Sequence, residues 1–217
     1  GSNPESSSAY SIAVGGIVGY AEGNCNVENS VNNGEIKNSA TGNFTSTAGI
    51  IGMVGNNSYS ITSCVNLAEI KGKANVAGIV AGINKYTLSP VINIDKCINA
   101  GAINSEALYL AGIACAASGR WTSSITNSIN LSALTGCGKA GIYYNAKSTS
   151  FDITYCMNVG QNSAGENQHN FPISNVTGNI SNCYYDSSKV IPGESDDNGT
   201  PKPTAELKID TPFDDSW

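Results

Sequence analysis

The chain repeats itself about every thirty residues, and that period limits what it can fold into. Five Gly-Ile blocks, GGIVGY at Gly16, AGIIGM at Gly49, AGIVAG at Gly78, AGIACA at Gly112 and AGIYYN at Gly141, stand 33, 29, 34 and 29 residues apart. Each is followed by a second block: VENSVNNGEI from Val27, ITSCVNLAEI from Ile61, IDKCINAGAI from Ile94, ITNSINLSAL from Ile125 and ITYCMNVGQN from Ile153. A degenerate sixth copy, ISNCYYDSS, begins at Ile180. A fixed period of this size predicts a solenoid, in which one small unit stacks on copies of itself.

Helical repeats would show apolar residues at i, i+3, i+4 and i+7 over long stretches. Here the apolar runs are short, rich in Ile and Val, and separated by Gly, Asn and Ser, so each repeat reads as several strands joined by bends. The expected fold is all-β: a right-handed parallel β-helix (solenoid) of about six coils with an irregular C-terminal cap. Stacking would place equivalent residues in vertical columns. One column is small throughout: Ser30, Cys64, Cys97, Ser128, Cys156 and Cys183. Two positions on, Asn32, Asn66, Asn99, Asn130 and Asn158 form an amide column. Such amides can hydrogen-bond along the stack and satisfy polar groups at a buried bend. A role needed in each coil is a role in folding.

Four of the seven cysteines fall in the small column, where Ser also occurs, so they read as reduced, buried packing residues. A net charge of −6, with no cluster of Lys and Arg, argues against nucleic acid as a partner. No apolar stretch approaches the roughly 20 residues of a membrane-spanning helix. Residues 1–12 read as a tag remnant (Gly1 and Ser2) with a Ser-rich tether, residues 13–185 as the repeats, and residues 186–217 as a Pro-rich cap or linker. In that last segment PTAELK predicts one helical turn with Thr204 as N-cap. Extra residues at Lys37–Thr47 and Asn84–Asn93 predict projecting loops.

The G-[IV]-[VI]-G blocks at Gly16 and Gly49, followed by CVN-x-[GA]-x-I, resemble the GLUG-motif repeats of bacterial secreted and cell-surface proteins. The resemblance covers residues 13 to 185; Gly82, Cys115 and Tyr144 mark departures from the four-residue motif in the later copies. The family is known mainly as repeat regions of large exported proteins, some of them attached to IgA-cleaving peptidases. The resemblance therefore implies an extracellular, cell-surface, adhesin-like or spacer role, with a glycan or a host or bacterial surface protein as partner and tethering to other domains. It implies no catalytic residue and no cofactor.

Candidate chemistry is sparse. His169 stands alone in a polar stretch, which leaves no His-based triad and no second histidine for zinc. Parallel β-helices also suit carbohydrate-active enzymes, for which Glu35 and Glu69 in one column, or Asp95 and Asp152 two coils apart, are the available carboxylates. Glu194, Asp196 and Asn198 before Gly199 resemble the start of a calcium loop, but Ala205 stands where the bidentate acid belongs. The aromatics between the blocks, Tyr20, Tyr59, Tyr86, Trp121, Tyr144 and Phe151, carry the binding expectation. Stacked along one edge, Tyr59, Tyr86, Trp121 and Tyr144 would form an exposed ladder for a sugar face or a protein surface. Otherwise they plug the edge of the core.

Overall fold

The computed structural model describes residues 12–40, 45–83, 90–106, 109–116, 122–145, 151–162, 169–176, 178–190 and 198–207. The chain winds as a parallel β-helix whose every coil passes five short faces. Face one stacks Ile12–Gly15, Thr45–Ala48, Asn75–Ala77, Tyr109–Ala111, Gly138–Ala140 and Asn170–Phe171, six strands deep. Face two begins with Val18–Ala21 and Ile51–Val54 and continues through a bridge at Val80 to Ala114–Ala116 and Tyr143–Asn145. Face three runs from Cys25–Glu28 through Ser58–Thr62, Val91–Asp95, Thr122–Thr126 and Asp152–Thr154 to Asn179–Ser181. Face four starts at Val31–Asn32 and carries seven strands, the last being Tyr184–Asp186 and Thr200–Lys202. Face five holds Ile36–Lys37, Ile70–Gly72, Ile103–Ser105 and Leu134–Thr135.

Every strand pairing is parallel, and the register is the one the repeats dictate. Val27 pairs with Ile61, which is followed in column by Ile94, Ile125, Ile153 and Ile180. The strands are short, two to five residues, because a Gly, Asn or Ser ends most of them. Their stability comes from the apolar columns they build. Ile61, Ile94, Ile125 and Ile153 are fully buried against Ile50, Ile79, Ile113 and Ile142 of the Gly-Ile blocks. Each such side chain contributes about 1.5–3 kcal/mol by leaving water.

Two apolar columns dominate the interior, with a smaller cluster of alanines, Cys115 and Tyr144 beside faces one and two. One apolar column lies between faces two and three. A second, made of Ile36, Ile70, Ile103 and Leu134 with Val76 and Leu110, lies between faces five and one. Between them the glycines of the Gly-Ile blocks press on the asparagine column. A Cβ on Gly49, Gly78 or Gly112 would come within 2.4–2.6 Å of side-chain carbons of Asn66, Asn99 or Asn130. The asparagines form an unbroken ladder: Asn32 Nδ2 donates to Asn66 Oδ1 at 2.8 Å, Asn66 to Asn99 at 2.8 Å, Asn99 to Asn130 at 2.9 Å and Asn130 to Asn158 at 2.9 Å. Asn158 Nδ2 closes the series on the Pro172 carbonyl at 3.0 Å. A polar seam inside an apolar core is tolerated because nearly every amide has its partner.

Each coil turns from face three to face four through one residue in the left-handed region: Asn29, Ser63, Lys96, Asn127, Tyr155 and Asn182, with φ between 48° and 54°. The next residue is the small column. Its thiols point inward and reach carbonyls of the coil before, as in Cys97 Sγ to Ile61 O at 3.5 Å and Cys183 Sγ to Ile153 O at 3.4 Å. Cys64, Cys97, Cys156 and Cys183 are all buried and free.

Two expectations at the margins need correction. Thr45, Ser46 and Thr47 are buried strand residues of face one and not loop, because the second coil needs that strand to cover Ile12–Gly15. Residues 41–44 and 84–89 of the expected loops lie outside the described residues. At the far end Thr204–Leu207 is a helical turn as expected, but the Thr204 hydroxyl donates to Asp186 Oδ2 at 2.7 Å instead of capping the turn. The buried carboxylate is the stronger acceptor.

Candidate functional site

Among the described residues, Tyr59 and Tyr144 of the expected aromatic ladder are not exposed. Tyr59 is 2 % exposed and its hydroxyl is spent inside, donating to the Ala21 carbonyl at 3.0 Å and accepting from the Gly55 amide at 3.0 Å. Alternation explains this: Tyr59 stands two residues before buried Ile61 on one strand, so both point inward. Tyr144 is buried too, ringed by Tyr109 at 5.3 Å and Phe171 at 6.2 Å between centroids. Phe151 stacks on Tyr143 at 4.2 Å within the main core. Tyr20 is exposed, and Tyr86 and Trp121 lie outside the described residues. Tyr59 and Tyr144 are packing residues, and a ligand approaching from solvent cannot stack on them.

The other sequence candidates are also placed. Asp95 and Asp152 share no column, because Asp95 pairs with Thr126 while Asp152 pairs with Ser124. Asp95 Oδ1 instead accepts from Thr126 Oγ1 at 2.7 Å and Asn127 Nδ2 at 2.9 Å, bracing the turn of the next coil. His169 is exposed and stacks on Phe171 at 6.1 Å between centroids. Glu194 and Asp196 lie outside the described residues, and Asn198 Nδ2 is committed to the Ser174 carbonyl at 2.9 Å. No cluster of metal-ligating side chains occurs among the described residues.

Glu35 and Glu69 do stand in one column, directly before the paired Ile36 and Ile70. What the sequence reading missed is the cation beside them. Two residues on, the outward positions of face five are Lys37, Lys71 and Asn104, stacked in register. Lys71 Nζ sits between the two carboxylates, 3.2 Å from Glu35 and 2.7 Å from Glu69. Asn104 Nδ2 donates to the other Glu69 oxygen at 2.5 Å. These hydrogen bonds, from Lys71 first and Asn104 second, hold the Glu69 carboxyl below its usual range, and the two glutamates raise the Lys71 ammonium above its own. The signal was legible, since Glu-Ile-Lys occurs at both 35–37 and 69–71 and alternate strand residues share a side.

A groove of about 340 Å³ opens beside this row, where face five turns toward face one. Lys37, Lys71, Lys73, Asn104 and Glu106 are among its walls. Lys73 pairs loosely with Glu106 at 3.5 Å, whereas Lys37 has no ion-pair partner among the described residues. Three lysines and one glutamate thus line a groove in a chain whose net charge is −6. Glu35 and Glu69 are both tied to the one Lys71 ammonium. The arrangement is suited to holding an anion by charge-assisted hydrogen bonds.

Comparison with known proteins is brief. No curated protein and no solved structure matches the chain. A family model described as the GLUG motif matches residues 10–37, which span the first Gly-Ile block and the first asparagine block. The pairing of those two blocks recurs in the coils above with the same glycine-on-asparagine contact, so the motif found once by the family model is the structural unit of the whole stack. The first coil of the chain carries the GLUG motif.

Proposed function

We propose that this chain is a non-enzymatic repeat module, exported to the surface of a bacterium or secreted, that acts in adhesion by holding an acidic glycan in the groove beside face five. The observation that carries this reading is Lys37, without an ion-pair partner among the described residues, in a groove that also offers Lys73 and Asn104. A uronate or sialate carboxylate fits such a site: one cation outside the described ion pairs, one loosely paired cation, and little net desolvation cost at an open surface. The exported, adhesin-like setting rests on the GLUG resemblance. The enzyme alternative is weaker because the available carboxylates are either neutralised by Lys71 or committed to turn geometry.

A glycan array with the purified chain tests the proposal. Binding should favour carboxylated sugars, fall as salt rises, and drop by about tenfold when Lys37→Ala and Lys73→Ala are combined. Absence of binding to any acidic glycan would favour a passive spacer that holds other domains away from the surface. The burial of Tyr59 and Tyr144, which withdraws both from any neutral-sugar platform, supports that second reading.

A further inference from the structure

Face four is built inside out. Its inward residues are the asparagines of the ladder, so strand alternation turns the residue before each of them toward solvent. That residue is apolar: Val31, Val65, Ile98, Ile129, Met157 and Tyr184 form a second column on the outside of the stack, in register from coil to coil. Val31 is 54 % exposed, Val65, Ile98, Ile129 and Tyr184 are partly buried, and Met157 is buried. The two flanks add larger side chains. Leu67 and Leu131, each the residue after a ladder asparagine, are 49 % and 47 % exposed. Tyr155, at the left-handed bend of the fifth coil, is 43 % exposed. The outward side of such a sheet is ordinarily polar, and a continuous apolar strip there marks a place where another surface docks.

Charge and area point to a second copy of the chain. With a net charge of −6, two copies repel wherever their acidic surfaces meet. In the first five coils, Lys96 is the only charged side chain among the described residues of face four and its flanks. This face is where like copies approach with least repulsion. From Val31 to Met157 the column rises four steps of about 4.8 Å, and with its flanks the face is on the order of 20 Å across, roughly 500 Å² per copy. Two copies would bury roughly 1,000 Å² together, the lower bound of a specific contact and the range of weak, reversible dimers.

The flanks also select an orientation. A two-fold axis parallel to the stack sets each coil against the same coil of the other copy, and the bend flank of one against the flank after the asparagines of the other. Leu67 then meets Ser63, Leu131 meets Asn127 and Tyr155 meets Val159, a larger side chain against a smaller one each time. Lys96 meets Ala100. With the stacks antiparallel and centred on the third coil, bend flank meets bend flank and the two Lys96 ammonium groups come together, which repels.

We propose that face four is a homodimer interface, in which two copies pack coil on coil about a two-fold axis parallel to the stack, with the outward column from Val31 to Met157 at its centre and Leu67, Leu131 and Tyr155 seated on the opposite flank. The proposal is independent of the groove, since none of these residues lines it.

Sedimentation of the full chain over a concentration series tests it, and a dimer with a Kd on the order of 10–100 μM is expected. Leu67→Glu combined with Leu131→Glu, both at exposed positions, should raise that Kd by about tenfold or more and leave the melting temperature nearly unchanged. Ser63→Lys added to Leu67→Glu alone should recover much of the affinity, because the new cation of one copy then faces the new carboxylate of the other. Oxidative footprinting of the unaltered chain gives a readout that needs no variant: Leu67, Leu131 and Tyr155 should be protected at concentrations above the Kd and reactive well below it. A monomer throughout the series overturns the proposal and leaves the face to a different protein. A dimer that the two glutamates leave intact also overturns it, by placing the contact elsewhere. Loss of the dimer without recovery by Ser63→Lys overturns the coil-on-coil arrangement.

Discussion

Gly78 lies directly against Asn99: a methyl group on Gly78 would stand 2.5 Å from the Asn99 Cβ and nearer still to the Gly112 carbonyl. The two blocks that define the repeat in sequence are thus the two halves of one contact. The glycine lets faces one and two bend onto face four, and the asparagine fills the seam while hydrogen-bonding along the stack. Gly78→Ala should cost about 3 kcal/mol or more, at the upper end for overpacking. Asn99→Ala should cost about 1–3 kcal/mol through the partners it strands. The double variant should not recover, because the Gly112 carbonyl still meets the new methyl. Urea unfolding of the three variants checks this, and recovery in the double variant would move the conflict to the asparagine alone.

The left-handed residue between faces three and four gives a prediction of the opposite sign. Asn occupies it in three coils, but Tyr155 and Lys96 hold φ of 54° and 52° there. An ordinary side chain in this region costs about 1–2 kcal/mol, and asparagine avoids part of it. Tyr155→Asn should therefore stabilise the chain by about 0.5–1 kcal/mol, read as a higher melting temperature. Tyr155→Val should destabilise it.

Thiol labelling without denaturant should modify Cys137, which is exposed, and more slowly Cys25, which is half-buried. Cys64, Cys97, Cys156 and Cys183 should stay unmodified until the chain unfolds. Burial pushes the Cys156 thiol well up and so suppresses the reactive thiolate. Cys97→Ser should be nearly neutral, because Ser128 already fills the column beside it. Cys97→Leu should cost about 1–3 kcal/mol.

Acid should loosen the C-terminal cap. Burial alone would raise the Asp186 carboxyl, but hydrogen bonds from Ser188 and Thr204 outweigh it and hold the group below its usual 3.8. Because the folded value is the lower one, its stabilisation is complete above the ordinary aspartate range and is lost as pH falls through the folded value. Protease cleavage within residues 200–207 should accelerate below about pH 3.5, near the ordinary carboxylate range. Asp186→Asn should be susceptible already at neutral pH and show little further change on acidification.

Much of this architecture is written in the chain because a parallel solenoid turns sequence period directly into spatial register. The recurrence of Ile61, Ile94, Ile125 and Ile153 named a column, and that column is a core wall. The same period placed Asn66 over Asn99 and Glu35 beside Glu69. It also held the answer for Tyr59, since a residue two before an inward isoleucine must point inward; treating Tyr59 as a loop residue hid it. Tyr144 is different. Tyr143 and Tyr144 are neighbours and both are buried, which strand alternation forbids unless both sides of the strand are covered. The bend between faces one and two does cover both, with Ala111, Ala140 and Cys115 packed on its outer side. Likewise Gly78 meets Asn99 only because the coil folds back on itself. Period determines which residues lie above one another. Which residues meet across a coil depends on where five bends close, and that is decided by packing among residues far apart in sequence.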